Sequence, residues 1–503
     1  MNRVRWSIAA GLLAGFSVGA QSLSTFERRE KTSAPKLACR DLRALTGYEF
    51  SVDSAVAAGE SCVVQGQVQP EVRFEVGLPA AWNGRLYMFG NGGYAGESLA
   101  QPGRIARRDA ALAKGFAVVQ TNTGHDGARE PLASFASNPQ KLIDYAYRAV
   151  HVTALTAKQL ARAYYGAAAS RSYFDGCSTG GRQGLVEAQR FPEDFDGIVV
   201  GAPVLDFTGT MAHYAKIHQA FAGSPRLAEK VSLVAQRVYE KCDAADGLAD
   251  GLLSDPRLCR FDPASDLPPC SSSESTSCLT SAELRSLQAV YSGTGSFPGF
   301  PVGAEVAVPT PSGPRSGWDP WLVSSSGPPI QVRFGETFFK YMVTPGTEID
   351  WRNFDPERDI DKLRGIGTLL NATDTELGRF RARGGKILMY FGWADPALNP
   401  MMGVSYYERV REATGAGTTD FFRLFMAPGM FHCGGGVGPN LVDPLTPLVD
   451  WVERGIAPDR LLSTQKRGEE VIRSRPLCPY PQAARHKGGS VDDAASFVCE
   501  AAR

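Results

Sequence analysis

The five residues Gly176-Cys177-Ser178-Thr179-Gly180 constrain this chain more than any other stretch. Before them, Arg171-Ser172-Tyr173-Phe174-Asp175 reads as the end of a short strand, and after them Gly181 to Ala188 opens a helix running toward Phe191-Pro192. A Gly-x-Ser-x-Gly between strand and helix is a nucleophile elbow. The turn is sharp enough that flanking side chains would collide, so the flanking positions are glycines. Ser178 then projects its Oγ at the carboxyl end of a sheet, near the positive end of the following helix. Gly- and Ser-rich turns are common, and the pentapeptide alone carries little; its strand–turn–helix setting gives it weight.

The residues around the elbow supply that sheet. Cys62 to Val68 and Val72 to Pro79 alternate apolar and polar side chains and read as antiparallel strands at one end of it. Trp82 to Phe89 and Gly115 to Thr121 read as buried strands, Asp144 to Tyr165 has helical spacing, and Ile198 to Pro203 follows the elbow helix. Strands alternating with helices predict an α/β fold, an α/β-hydrolase core whose mostly parallel sheet is covered on both faces. From about Leu205 to Gly384 that rhythm stops, and clustered cysteines, Ser- and Pro-rich patches and scattered aromatics take over. The sheet resumes at Lys386 to Trp393 and Phe421 to Met426. We therefore expect a catalytic domain made of residues 21–204 and 385–503, interrupted by a large inserted lid domain at 205–384.

A chain of 503 residues can bury a core of that size. Its 53 basic and 53 acidic residues balance without a long run of one sign, which argues against a nucleic-acid or membrane-surface partner. Arg3 and Arg5, the apolar run Ile8 to Phe16, and the small residues Val18-Gly19-Ala20 together read as a signal peptide, residues 1–20. The run is too short to span a bilayer, so a secreted or periplasmic protein is expected. Export makes an even set of ten cysteines a set of disulfides. Local closure suggests Cys39–Cys62, Cys242–Cys259, Cys270–Cys278 and Cys478–Cys499, and leaves Cys177 and Cys433 to pair.

An elbow serine needs a base and an acid, in the chain order serine, acid, histidine. Of six histidines, His432 follows a predicted strand and lies in a Gly-rich loop; His125, in another loop near the sheet end, is the second choice. His151, His213 and His218 fall on helices, where structural roles are commoner. For the acid, Asp395 in Gly392-Trp393-Ala394-Asp395-Pro396 lies just past an apolar strand, whereas Asp443 and Asp450 come after His432, in the wrong order. Cys177 precedes Ser178 and Cys433 follows His432, so a bridge between them would hold nucleophile and base together, with Cα atoms about 4.4–6.8 Å apart. The alternative is that either cysteine pairs elsewhere or is a buried thiol. The Thr179 backbone N–H, with one from Gly92 or Gly93, would supply an oxyanion hole.

The stretch Cys242 to Leu252 carries three carboxylates at short spacing with glycines between them. Asp243, Asp246 and Asp250 through side chains, and Leu248 and Leu252 through carbonyls, could wrap one calcium ion. The spacing is not that of an EF-hand, and a solvated acidic turn is the plain alternative.

The combination of Cys177-Ser178, Asp395 and His432-Cys433 resembles the tannase/feruloyl esterase family. The resemblance continues through the Asp-rich loop at 243–252, Trp318-Asp319-Pro320-Trp321, Phe338-Phe339-Lys340-Tyr341, Gly434-Gly435-Gly436 and Asp450-Trp451-Val452, and so covers nearly the whole mature chain. It implies a lid over the site, a structural calcium in that lid, the Cys177–Cys433 bridge and hydrolysis of small aromatic esters: gallates, ferulates, related hydroxycinnamates or terephthalate monoesters. No obligate protein partner is implied. Trp318, Trp321 and Phe338 could stack on an aryl group, and Arg333 could pair with a substrate carboxylate.

Overall fold

A computed structural model of the chain describes residues 33–501, apart from 272–274, 296, 311–312, 325 and 344–348. The expected signal peptide, residues 1–20, lies outside the described residues. Among those described, nine strands form one sheet: β1 (Phe50–Ala58), β2 (Ser61–Val68), β3 (Val72–Pro79), β4 (Arg85–Phe89), β5 (Ala117–Thr121), β6 (Arg171–Cys177), β7 (Gly197–Gly201), β8 (Lys386–Gly392) and β9 (Phe422–Ala427). Their order is β1-β2-β3-β5-β4-β6-β7-β8-β9. The six from β5 to β9 run parallel, and β1, β2 and β3 add an antiparallel edge. This is the α/β-hydrolase arrangement that the elbow and its flanks predict. Sequence reading did not anticipate β1, where Ser51, Asp53 and Ser54 dilute the apolar alternation.

Strand periodicity explains the two layers. Leu86, Met88, Ile198, Val200, Ile387, Met389 and Phe391 point to one face and join the larger buried apolar cluster. The intervening Tyr87, Phe89, Val199, Leu388 and Tyr390 point to the other and form a second cluster. Side chains alternate across a strand, so central strands apolar at every position need a covering layer on both faces. Helices α1 (Pro102–Leu112) and Leu445–Arg454 cover the second face through Leu112, Leu445, Leu448 and Trp451. Helices α2 (Ala149–Tyr165) and α3 (Thr179–Arg190) cover the first through Ala154, Leu160, Leu185 and Val186.

No strand of the main sheet falls between β7 and β8. Helices α4 (Phe207–Phe221), α5 (Val231–Cys242), α6 (Ser281–Tyr291) and α7 (Ile330–Tyr341) occupy this insertion. Thr280 and Glu283 form a capping box on α6, and Lys230 reaches the same Glu283 in a buried ion pair at 2.6 Å. Phe207, Met211, Tyr214 and Phe338 belong to the same buried cluster as Tyr94, Tyr145 and Phe174 of the sheet region. The insertion therefore packs on the sheet layer through one continuous core.

All ten cysteines pair as local closure suggests: Cys39–Cys62, Cys242–Cys259, Cys270–Cys278, Cys478–Cys499 and Cys177–Cys433. No helix among the described residues is long and apolar enough to cross a membrane.

Candidate active site

Strand β6 ends at Cys177 and α3 begins at Thr179, leaving Ser178 alone at the corner with φ 64° and ψ −122°. A non-glycine residue in that conformation costs about 1–3 kcal/mol, and the surroundings must hold it there. They do so through backbone: the Ser178 amide donates to the Gly201 carbonyl at 3.0 Å, and its carbonyl accepts from Arg182 in the first turn of α3. A Cβ on Gly176 would come within 2.5 Å of the Gly180 backbone, so the return of the chain past β6 demands glycine.

The expected acid and base meet. Asp395 lies three residues past β8, its side chain fully buried, and His432 lies in the loop after β9. Asp395 Oδ2 faces His432 Nδ1 at 2.8 Å, while Oδ1 accepts from the amides of Ala397 and Leu398 at 2.8 and 2.9 Å. A carboxylate facing Nδ1 places the ring proton there and leaves Nε2 as the basic nitrogen. His125, the second choice for base, is buried and stacked on Phe135 at 3.9 Å, and burial lowers its pKa to about 4. An imidazole of that kind is a poor proton acceptor at neutral pH.

Cys177 and Cys433 are bridged with their Cα atoms 6.1 Å apart. The bond crosses 256 residues of sequence and ties the residue before the serine to the residue after the histidine. Cys433 itself sits at φ 60°, a second non-glycine residue held in the left-handed region at this site.

The loop after β4 lies against the start of α3. The Thr179 hydroxyl donates to the Gly93 carbonyl, the Tyr145 hydroxyl reaches the same carbonyl at 3.2 Å, and the Asn91 amide donates to Gln183 Oε1 at 3.1 Å. Of the two glycines singled out, Gly92 already uses its N–H on Glu97 Oε1 at 3.3 Å. Gly93 sits at φ +49°. Gln183 and Tyr145 escaped sequence reading because each acts on this loop from another element, whereas Glu97 belongs to the loop itself.

The four residues named as substrate contacts separate by burial. Trp321 is half-buried, with its ring edge-on to His432 at 5.3 Å between centroids. Trp318 is 2% exposed and packs beside Tyr291, and Phe338 is 0% exposed between Phe207 and Phe339. Both belong to the buried core, a correction to the expected stacking role: Phe338 lies on the side of α7 that packs against α4, and Trp318 packs beside Tyr291 of α6. Arg333 is exposed on α7. The aromatic that sequence reading missed is Phe334, whose ring lies 3.3 Å from the position a Cβ on Gly93 would take and 4.7 Å from the Tyr94 ring. Its spacing of four from Phe338 was the available signal.

In the acidic loop, Asp243 Oδ1 accepts from the Gly251 amide, Asp246 from Leu248 and Ser254, and Asp250 from Leu252 and from Arg475 at 2.6 Å. Burial, and then the charges of Asp250 and Asp246, hold the Asp243 carboxyl above its usual range. The carboxylates and the carbonyls between them are oxygen donors of the kind a hard divalent cation takes, and Asp250 is at the same time paired with the buried Arg475 guanidinium. A different group, His151, Glu187 and Asp194, brings its ligand atoms within 4.8 Å of one another. There, His151 Nδ1 meets Asp194 at 2.6 Å and the Lys158 ammonium bonds the Asp194 carbonyl at 2.5 Å, so this group braces α2 against the end of α3.

The chain is similar to known proteins over most of its length. The family described as "Tannase and feruloyl esterase" matches residues 55–500. A mono(2-hydroxyethyl) terephthalate hydrolase from Piscinibacter sakaiensis is 34% identical, covering 89% of this chain and 86% of its own. A probable feruloyl esterase B-1 from Aspergillus flavus is 30% identical, covering 85% and 83%. The crystal structure of feruloyl esterase B from Aspergillus oryzae superposes with a TM-score of 0.81 at 27% identity, covering 92% of this chain and all of that one.

Proposed function

Since the chain belongs to the tannase and feruloyl esterase family, and is on that ground a carboxylic ester hydrolase, we propose that it cleaves esters of aromatic acids through Ser178, His432 and Asp395. The observation that carries this reading is the Asp395–His432 hydrogen bond, linked to the Ser178 elbow by the Cys177–Cys433 bridge.

Catalysis begins as His432 Nε2 takes the Ser178 proton while Oγ attacks the ester carbonyl, and Asp395 stabilises the imidazolium. Charge that develops on the carbonyl oxygen falls to the amides of Thr179, at the positive end of α3, and Gly93. His432 then returns the proton to the leaving alcohol. Water, deprotonated by the same nitrogen, attacks the acyl-enzyme and releases the acid and free Ser178. An aryl acyl group would lie between the Trp321 and Phe334 rings, which flank His432 and Gly93 respectively. The test is a panel of methyl ferulate, methyl gallate and a mono(2-hydroxyethyl) terephthalate, compared with methyl butyrate by kcat/KM. Faster turnover of at least one aryl ester supports the reading. Preference for butyrate would remove the aromatic class, and no turnover of any ester by clean, calcium-replete protein would point to a binding protein on this fold.

Asp243, Asp246 and Asp250, with the Leu248 and Leu252 carbonyls, would hold a structural calcium beside the Cys242–Cys259 bridge. The ion would supply charge neutralisation to this loop. Chelation is expected to lower the melting temperature by about 3–5 °C. The Asp246→Ala protein should melt at one temperature with or without calcium; an unchanged wild-type curve would remove the ion. Five disulfides suit an oxidising compartment, so we place the protein outside the cytoplasm.

A further inference from the structure

The Asp395 carboxylate is held by two peptide groups, and the insertion holds the opposite ends of the same two. Its Oδ1 accepts from the Ala397 N–H, which shares a peptide plane with the Pro396 carbonyl, and from the Leu398 N–H, which shares one with the Ala397 carbonyl. The Pro396 carbonyl accepts from Gln331 Nε2 at 3.1 Å, and the Ala397 carbonyl accepts from the Tyr214 hydroxyl. Gln331, 0% exposed, comes from α7, and Tyr214, 3% exposed, comes from α4.

A peptide group is planar, with its N–H and C=O pointing in opposite directions. Fixing the carbonyl end therefore fixes where the N–H end points, and a donor on the carbonyl polarises the group so that its N–H becomes a stronger donor. Asp395 must keep Oδ2 on His432 Nδ1, and its other oxygen is the handle by which the turn aims it. We propose that Tyr214 and Gln331 are positioning residues for the hydrolase, acting through these two peptide planes to orient Asp395 on His432. The insertion thereby completes the charge-stabilising arm of the site as well as covering it. The Gln331 backbone N–H also donates to the carbonyl of Trp321, whose ring lies against His432, which ties this residue to the substrate side.

This inference rests on the assignment of Asp395 as the catalytic acid, and a double-mutant cycle on the full chain separates the two. Tyr214→Phe removes one hydroxyl and keeps the ring. It should lower kcat on an aryl ester by about 10- to 100-fold with KM held within about twofold. In the Asp395→Asn background, where there is no carboxylate to aim, the same change should cost nothing further. Gln331→Met, which keeps the volume and loses the donor, should behave alike and serves if Tyr214→Phe folds poorly. Equal fractional losses in both backgrounds, or no loss in the native one, would overturn the proposal while leaving the triad standing. If Asp395→Asn itself costs nothing, the acid assignment falls and the proposal with it.

Discussion

Ser178→Ala should lower kcat for ester hydrolysis by roughly 10,000- to 1,000,000-fold, with the melting temperature unchanged within about 2 °C. The loss is large because oxygen at this position is the group that becomes bonded to the acyl carbon. The oxyanion donors proposed at Thr179 and Gly93 and the binding surface remain, so activity should fall to a residue above the uncatalysed rate. Stability is spared because alanine meets the same backbone demand as serine at φ 64°, and the bonds that hold the corner are backbone bonds to Gly201 and Arg182. Stopped-flow assays with an activated ester, and covalent labelling by an organophosphonate followed by peptide mass mapping, check the result. A variant with more than about a tenth of native activity would place the nucleophile elsewhere.

Asp395→Asn is the second large effect, an expected fall in kcat of about 10,000-fold, the size seen for the same change in a serine-protease triad. Asparagine fills the same buried space, and its carbonyl oxygen can still accept from Ala397 and Leu398. That arrangement points its NH₂ at His432 Nδ1. The imidazole must then present a lone pair at Nδ1 and carry its proton at Nε2, where a base needs the reverse. Substrate binding does not involve this residue, so KM should stay put. A fall in kcat/KM carried by KM would mean that Asp395 shapes the pocket and leaves proton transfer to another acid.

The disulfide gives these two predictions a common frame. Ser178 and His432 come from loops after β6 and β9, separated by β7 and β8 in the sheet. Their neighbours are joined covalently, so Ser178 and His432 share one rigid link where most of the site is held by hydrogen bonds.

Much of this protein is legible locally. The elbow announces itself because the chain can return past β6 only with glycine at Gly176, and that requirement is satisfied within five residues. The central strands are apolar at every position because both faces are covered, and the pairing of ten cysteines follows from nearness along the chain once one distant pair is left over. The order of Ser178, Asp395 and His432 is likewise written in sequence. What tertiary structure alone decided is which side of each insertion helix faces inward. Trp318 and Phe338 are as aromatic as Trp321 and Phe334, yet the first two fill the core and the second two flank the site. Composition cannot separate them, since burial of a side chain depends on the partners that the tertiary fold brings to it. The same holds for Tyr214 and Gln331, whose grip on the Asp395 turn exists only when α4 and α7 close on the sheet.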